Sequence, residues 1–146
     1  MLKHMPHVSA YKRGTTVYLL PTMLGDRGYT DVEPVMPTNA SDVQVIGKLT
    51  LAAFKLFKVG MPVADWEDYK WPLLKAMKAR SKRQAVLGTR YVSVELNPDS
   101  VLLTPFEADP QRGGFSEFRG RDMRVENWND PLALGSAILE SFKQAR

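Results

Sequence analysis

Two stretches of this chain, 88 residues apart, read almost as copies of one another. Asp42-Val43-Gln44-Val45-Ile46-Gly47 continues to Leu51, Phe54 and Lys55; Asp130-Pro131-Leu132-Ala133-Leu134-Gly135 continues to Leu139, Phe142 and Lys143. Each is a polar cap followed by apolar residues at helical spacing. Each also holds a glycine, which costs about 1 kcal/mol relative to alanine inside a helix. Matching glycines point to close approach of each helix to a sheet or to another backbone. Upstream, Val17-Tyr18-Leu19-Leu20-Pro21 echoes Val101-Leu102-Leu103-Thr104-Pro105 at an offset of 84. Each half then reads as strands followed by a helix. The echo is short and uses common residues, so a repeat and a coincidence both fit it.

The remaining elements are assigned locally. Thr15–Leu20 is β-branched and aromatic, a strand that Pro21 should end. Gly25-Asp26-Arg27-Gly28 is a turn, and Asp31–Met36 a second extended piece that Pro34 confines to an edge. Ser41 and Gln44 have the spacing of a capping box for the first helix, which Gly60 and Pro62 should close. Pro72 suits the first position of a short helix reaching Arg80, and Ser81 with Gln84 caps a further turn. Arg90–Leu96 and Val101–Phe106 flank the turn Asn97-Pro98-Asp99-Ser100, making the strongest hairpin signal. A second hairpin, Phe115–Phe118 with Met123–Val125, is expected across Gly120. Asp130 caps the last helix and Pro131 opens it.

The 146 residues suit one domain, expected over 11–146, behind a flexible tail of residues 1–10. At 44% hydrophobic and 25% charged, the composition is that of a globular chain. The fold class expected is α+β: a mainly antiparallel sheet with two principal helices packed against it, in two related strand–strand–helix halves if the echo is real. The absence of cysteine excludes disulfides, thiol catalysis and cysteine-ligated metal. No apolar h-region follows Met1, and Lys55 and Lys58 interrupt the longest apolar stretch, so a cytoplasmic protein with no membrane partner is expected.

Signals for chemistry are sparse. His4 and His7 stand in the expected tail with Pro6 between them and no companion ligands, so no metal site is expected. Asp65, Glu67 and Asp68 cluster beside Trp66, Tyr69 and Trp71, as a solvated rim or as carboxylates for catalysis. No glycine-rich loop has phosphate-binding spacing. No enzyme activity and no cofactor are therefore expected. Lys75, Lys78, Arg80, Lys82, Arg83 and Arg90 form a basic segment with no acid between Asp68 and Glu95. It reads either as a solvated face or, as the alternative function, as a nucleic-acid-binding stripe across 75–90. Glu107–Asp130 mixes acids, arginines and aromatics, the composition of a protein-binding surface.

The two helix starts, Asp42–Phe54 and Asp130–Phe142, with the strand-rich segments before them, resemble the immunity proteins of bacterial contact-dependent growth inhibition systems. The resemblance spans residues 10–145 in outline. It implies a small cytoplasmic protein that binds, one to one, the C-terminal toxin domain of a secreted effector, commonly a nuclease, and neutralises it. Direct nucleic-acid binding is then not expected. The basic net charge of +4 departs from what an inhibitor of a basic nuclease would carry, although the acid-leaning segment after Glu95 could offset it locally. The partner-binding residues expected are Asp109, Glu117, Arg119, Arg121 and Asp122, on a polar loop and the mixed-charge stretch after it.

Overall fold

The computed structural model describes residues 5–25, 28–60, 69–117 and 120–146. Its strands are β1 (His7–Arg13), β2 (Thr16–Gly25), β3 (Gly28–Asp31), β4 (Met36–Asn39), β5 (Lys58–Val59), β6 (Thr89–Leu96), β7 (Val101–Asp109), β8 (Gly114–Glu117) and β9 (Met123–Val125). Its helices are α1 (Val43–Lys55), α2 (Pro72–Met77), α3 (Lys82–Val86) and α4 (Pro131–Gln144). The main path of the sheet runs β3-β2-β1-β6-β7-β8. All pairings are antiparallel except β5, which lies parallel to β2. The expected α+β class, with two principal helices on a mainly antiparallel sheet, is the one observed.

Strand alternation gives the sheet two different faces, because successive side chains point to opposite sides. Val8, Ala10, Val17, Leu19, Val92, Val94, Val101 and Leu103 pack with Ile46, Phe54, Leu134, Ile138 and Phe142 in an aliphatic core under α1 and α4. Their strand neighbours Tyr11, Leu20 and Tyr91 belong to a separate cluster with Trp71, Leu73 and Phe115. A one-residue slip would exchange these sets, so burial on both faces fixes the register. In that register Tyr11 stands opposite Tyr91 and Ser9 opposite Ser93.

The sequence echo has a structural counterpart. β2 pairs with β4 through Thr16–Leu19 and with β3 through Thr22–Gly25; β7 pairs with β9 through Val101–Leu103 and with β8 through Phe106–Asp109. Pro21 and Pro105 each sit where that outer edge passes from one short partner to the next. The carbonyl of Pro21 accepts from the Val32 amide on this edge, so the amide hydrogen that proline lacks is missing at a gap in the ladder. This is why β2 runs through Pro21 to Gly25 instead of ending there. The helices then cross at their glycines. A Cβ on Gly47 would lie 1.8 Å from the Pro131 carbonyl oxygen, and one on Gly135 would lie 1.9 Å from that of Val43. The two contacts are reciprocal at the offset of 88.

Other expectations change in detail. Residues 7–10 are not a tail: His7, Val8, Ser9 and Ala10 are buried in β1, between β2 and β6. Two paired neighbours and a covered face on each side outweigh the weak strand preference of serine and alanine. Residues 1–4 lie outside the described residues. The cap of α1 is Asp42, without a side-chain bond, because Ser41 Oγ donates to Asn39 Oδ1 at 2.8 Å. That local turn competes with the capping box. α1 ends at Lys55, ahead of Gly60, and residues 58–59 form β5. The predicted hairpin across Gly120 does not form, since β8 and β9 both pair with β7. The expected caps do form at Ser81, which accepts from the Gln84 amide at 3.1 Å, and at Asp130, which accepts from Leu132 at 3.2 Å.

Candidate functional site

On the sheet face away from α1 and α4 lies an open cavity of about 570 Å³. Alternation along β1 puts Ser9 and Tyr11 on one wall beside Tyr91 of β6. The end of β3 contributes Asp31. The chain before α2 contributes Tyr69 and Trp71, the turn after β7 contributes Gly113, and the start of β8 contributes Gly114 and Phe115. Lys82, His7 and Tyr29 complete the rim. Tyr11 stacks on Tyr91 with ring centres 4.8 Å apart and meets Trp71 edge-on at 5.7 Å.

Asp31 is the chemical centre of this cavity. Only 8% exposed, it receives hydrogen bonds from Ser9 Oγ on Oδ1 and from the Tyr11 hydroxyl on Oδ2. Trp71 Nε1 donates to Oδ2 at 2.8 Å, and the Tyr69 hydroxyl donates to the Asp31 backbone carbonyl at 2.8 Å. Burial pushes the Asp31 carboxyl above its ordinary range, against the opposing pull of its three donors. Burial, followed by the nearby carboxylate, also raises the hydroxyls of Tyr11, Tyr69 and Tyr91. His7, stacked on Tyr29 at 4.4 Å, is pushed down to about 4 by burial and is neutral near pH 7. Its Nε2 pairs with Ser93 Oγ at 2.6 Å, while Nδ1 is buried with no partner among the described residues. Three neutral donors hold the carboxylate in a fixed orientation, a geometry suited to presenting a buried acceptor to a ligand.

The first half alone carries this centre. In the second half, the place that Asp31 takes opposite Thr22 is held opposite Phe106 by Glu117, which is exposed. The backbone scheme repeats, whereas the buried acid does not.

The residues singled out from sequence lie around the cavity more than in it. Asp109, at the end of β7, takes the Arg112 amide at 3.3 Å and its guanidinium at 3.6 Å on the surface. The cavity wall at Gly113–Phe115 follows directly after the turn they bracket. Glu117 and Asp122 are exposed, and Arg121 donates to Gln144 Oε1 at 3.2 Å beside the end of α4. Arg119, like Asp65, Glu67 and Asp68, lies outside the described residues. The basic segment is spread over several elements. Lys75 is on α2, Lys78 is a left-handed residue that ends it, and Lys82 and Arg83 are on α3. Arg90 is on β6, donating to the Phe142 carbonyl at 3.0 Å. Among the described residues, no cluster of three His, Asp or Glu could hold a metal ion, and no helix is long and apolar enough to cross a membrane.

Sequence reasoning passed over Asp31, Ser9 and Tyr91. A signal was present in the mirrored pairs Ser9-Ala10-Tyr11 and Tyr91-Val92-Ser93, which place hydroxyl and ring alternately on the face opposite the aliphatic residues. Asp31, alone between a short strand and Pro34, gave no such periodic sign.

No protein-family model matches the chain, and no curated protein matches it. Solved structures do. A protein of unknown function from Neisseria meningitidis superposes with a TM-score of 0.79 at 12% identity, covering 100% of this chain and 98% of that one. A chain of the CdiA-CT/CdiI toxin and immunity complex from Yersinia pseudotuberculosis superposes with a TM-score of 0.77 at 8% identity, covering 100% of both. The chain thus has, from end to end, a fold found in a toxin and immunity complex.

Proposed function

We propose that this chain is an immunity protein: it binds the C-terminal toxin domain of a contact-dependent growth inhibition effector, one to one, in the cytoplasm, and neutralises it. The observation that carries the reading is the full-length fold match to a chain of a toxin and immunity complex. It meets the resemblance drawn independently from the two helix starts. Binding, not catalysis, is the activity proposed, and the toxin is proposed to be a nuclease, as that resemblance implies.

The contact surface proposed is the β7–β8 side of the molecule, with Asp109, Glu117, Arg121 and Asp122 as its polar residues; Arg119, outside the described residues, is proposed as a fifth contact from its place in the sequence alone. Exposed charges of both signs offer charge-assisted hydrogen bonds and reject partners of the wrong pattern. The test uses the C-terminal domain of a contact-dependent growth inhibition effector from the same genome. Calorimetric titration should give a one-to-one complex, and the chain should stop that domain from cleaving nucleic acid. A folded chain that neither binds nor inhibits the domain would overturn the reading. Alanine at the five charged positions tests the surface separately: unchanged affinity at all five would move the contact elsewhere.

A further inference from the structure

Among the described residues lining the cavity, Asp31 is the sole acid. Its donors, Ser9, Tyr11 and Trp71, are all neutral, and neither ion pair of the described residues involves it. A carboxylate offers about four lone-pair directions. Among the described residues, two donors occupy Oδ2 and one occupies Oδ1, which leaves a direction on Oδ1. Removing an unpaired carboxylate from water is costly, and a cation close to it offsets that cost. The surrounding rings carry electron-rich faces, which attract ammonium and guanidinium groups within about 6 Å. A site built only as a structural acceptor for three donors has no need of an open cavity beside it.

We propose that this cavity binds one basic group, an alkylammonium or a guanidinium, with Asp31 as counter-ion and the rings of Tyr11, Tyr69, Trp71 and Tyr91 around it. The group can arrive on a small free molecule or as a lysine or arginine side chain of another protein; the recognition chemistry is the same. The assignment stands apart from the toxin reading, because it concerns the cavity and not the identity of any partner. Lys82, on the rim, is the group an incoming cation must displace or avoid.

Trp71 supplies the readout, since its indole N–H is bonded to the carboxylate that the cation would meet. The full chain, labelled with nitrogen-15, is titrated with propylguanidinium, butylammonium and neutral propylurea, the indole signal being assigned with Trp71→Phe. Saturable shifts are expected with both cations, and binding of propylurea should be weaker by about tenfold or more, as loss of a charge-assisted contact implies. Asp31→Asn should weaken cation binding to the level of propylurea. Should that variant fail to fold, Lys82→Met keeps the test open, because removing the competing cation should strengthen binding by about threefold. A capped Gly-Arg-Gly peptide distinguishes the sources. Tighter binding than propylguanidinium supports a protein side chain as the natural cation, and weaker binding supports a free small molecule. No shift with either cation, or equal binding of propylurea, would overturn the proposal.

Discussion

Replacing Gly47 with alanine should destabilise the protein even though alanine is the better helix former. The added Cβ would stand 1.8 Å from the Pro131 carbonyl oxygen and 2.5 Å from its carbon, both backbone atoms that no rotamer change can move. Reaching a tolerable 3.0 Å requires α1 and α4 to separate by about 1.2 Å at the crossing. That separation loosens Ile46, Leu134 and Ile138, which are fully buried in the shared core. Overpacking of this kind costs about 3 kcal/mol when the neighbours are rigid. The helix-propensity gain of about 1 kcal/mol offsets part of it, leaving a net loss of about 2 kcal/mol. For a chain of this size that lowers the melting temperature by roughly 6 °C. Urea denaturation at fixed pH, with the same slope for both proteins, measures the loss. Gly135→Ala should behave alike, with Val43 in the part of Pro131. Gly114→Ala is the control, because its Cβ would meet nothing within 4 Å. A Gly47→Ala protein as stable as the parent, or more stable by the propensity gain, would refute the idea that the helices cross at these glycines.

Burial of His7 makes stability depend on pH. Its folded pKa of about 4 lies below the unfolded 6.5, so the unfolded chain binds the proton more readily and this contribution, about 3 kcal/mol in full, is present above pH 6.5 and lost as pH falls toward 4. Urea midpoints between pH 7 and 4.5 should therefore fall less in His7→Phe than in the parent; equal slopes would count against a buried neutral imidazole. Asp31 acts oppositely, because its raised folded pKa makes its contribution largest in acid and lost as pH rises through that pKa. Leu134→Ala, at a fully buried position, should cost about 3 kcal/mol. Leu132→Ala, two residues earlier on α4 at a residue 55% exposed, should stay within about 0.5 kcal/mol, and the pair of urea midpoints checks both. Asp130→Ala removes the acceptor of the Leu132 amide and should cost about 1 kcal/mol in the same assay.

The sequence made the helices and the central hairpin legible because their signals are local. Helical spacing from Ile46 to Phe54, Pro131 behind its aspartate, and two β-rich runs around Asn97-Pro98-Asp99-Ser100 each specify an element without outside help. The strand β1 was hidden because His7-Val8-Ser9-Ala10 becomes a strand through its neighbours β2 and β6, which are remote in sequence. The path of β8 and β9 was misjudged for a related reason. Their turn residues permit a hairpin, but each finds a longer edge on β7. The loop at Asp109–Gly114 was legible as an exposed turn, and it borders the cavity. The cavity itself was not legible. It is assembled from Ser9, Asp31, Trp71 and Tyr91, four residues on separate segments, and only pairing and sheet curvature bring them together.

Growth reports whether this chain protects a cell from the toxin proposed for it. A sensitive bacterium is made to produce the effector's C-terminal domain, with and without this chain supplied in the same cytoplasm. Arrest is expected without the chain and normal growth with it, and arrest again when the domain comes from an unrelated effector. Continued arrest by the partner domain, in cells shown to contain the folded chain at an excess over the toxin, would contradict the proposed protection.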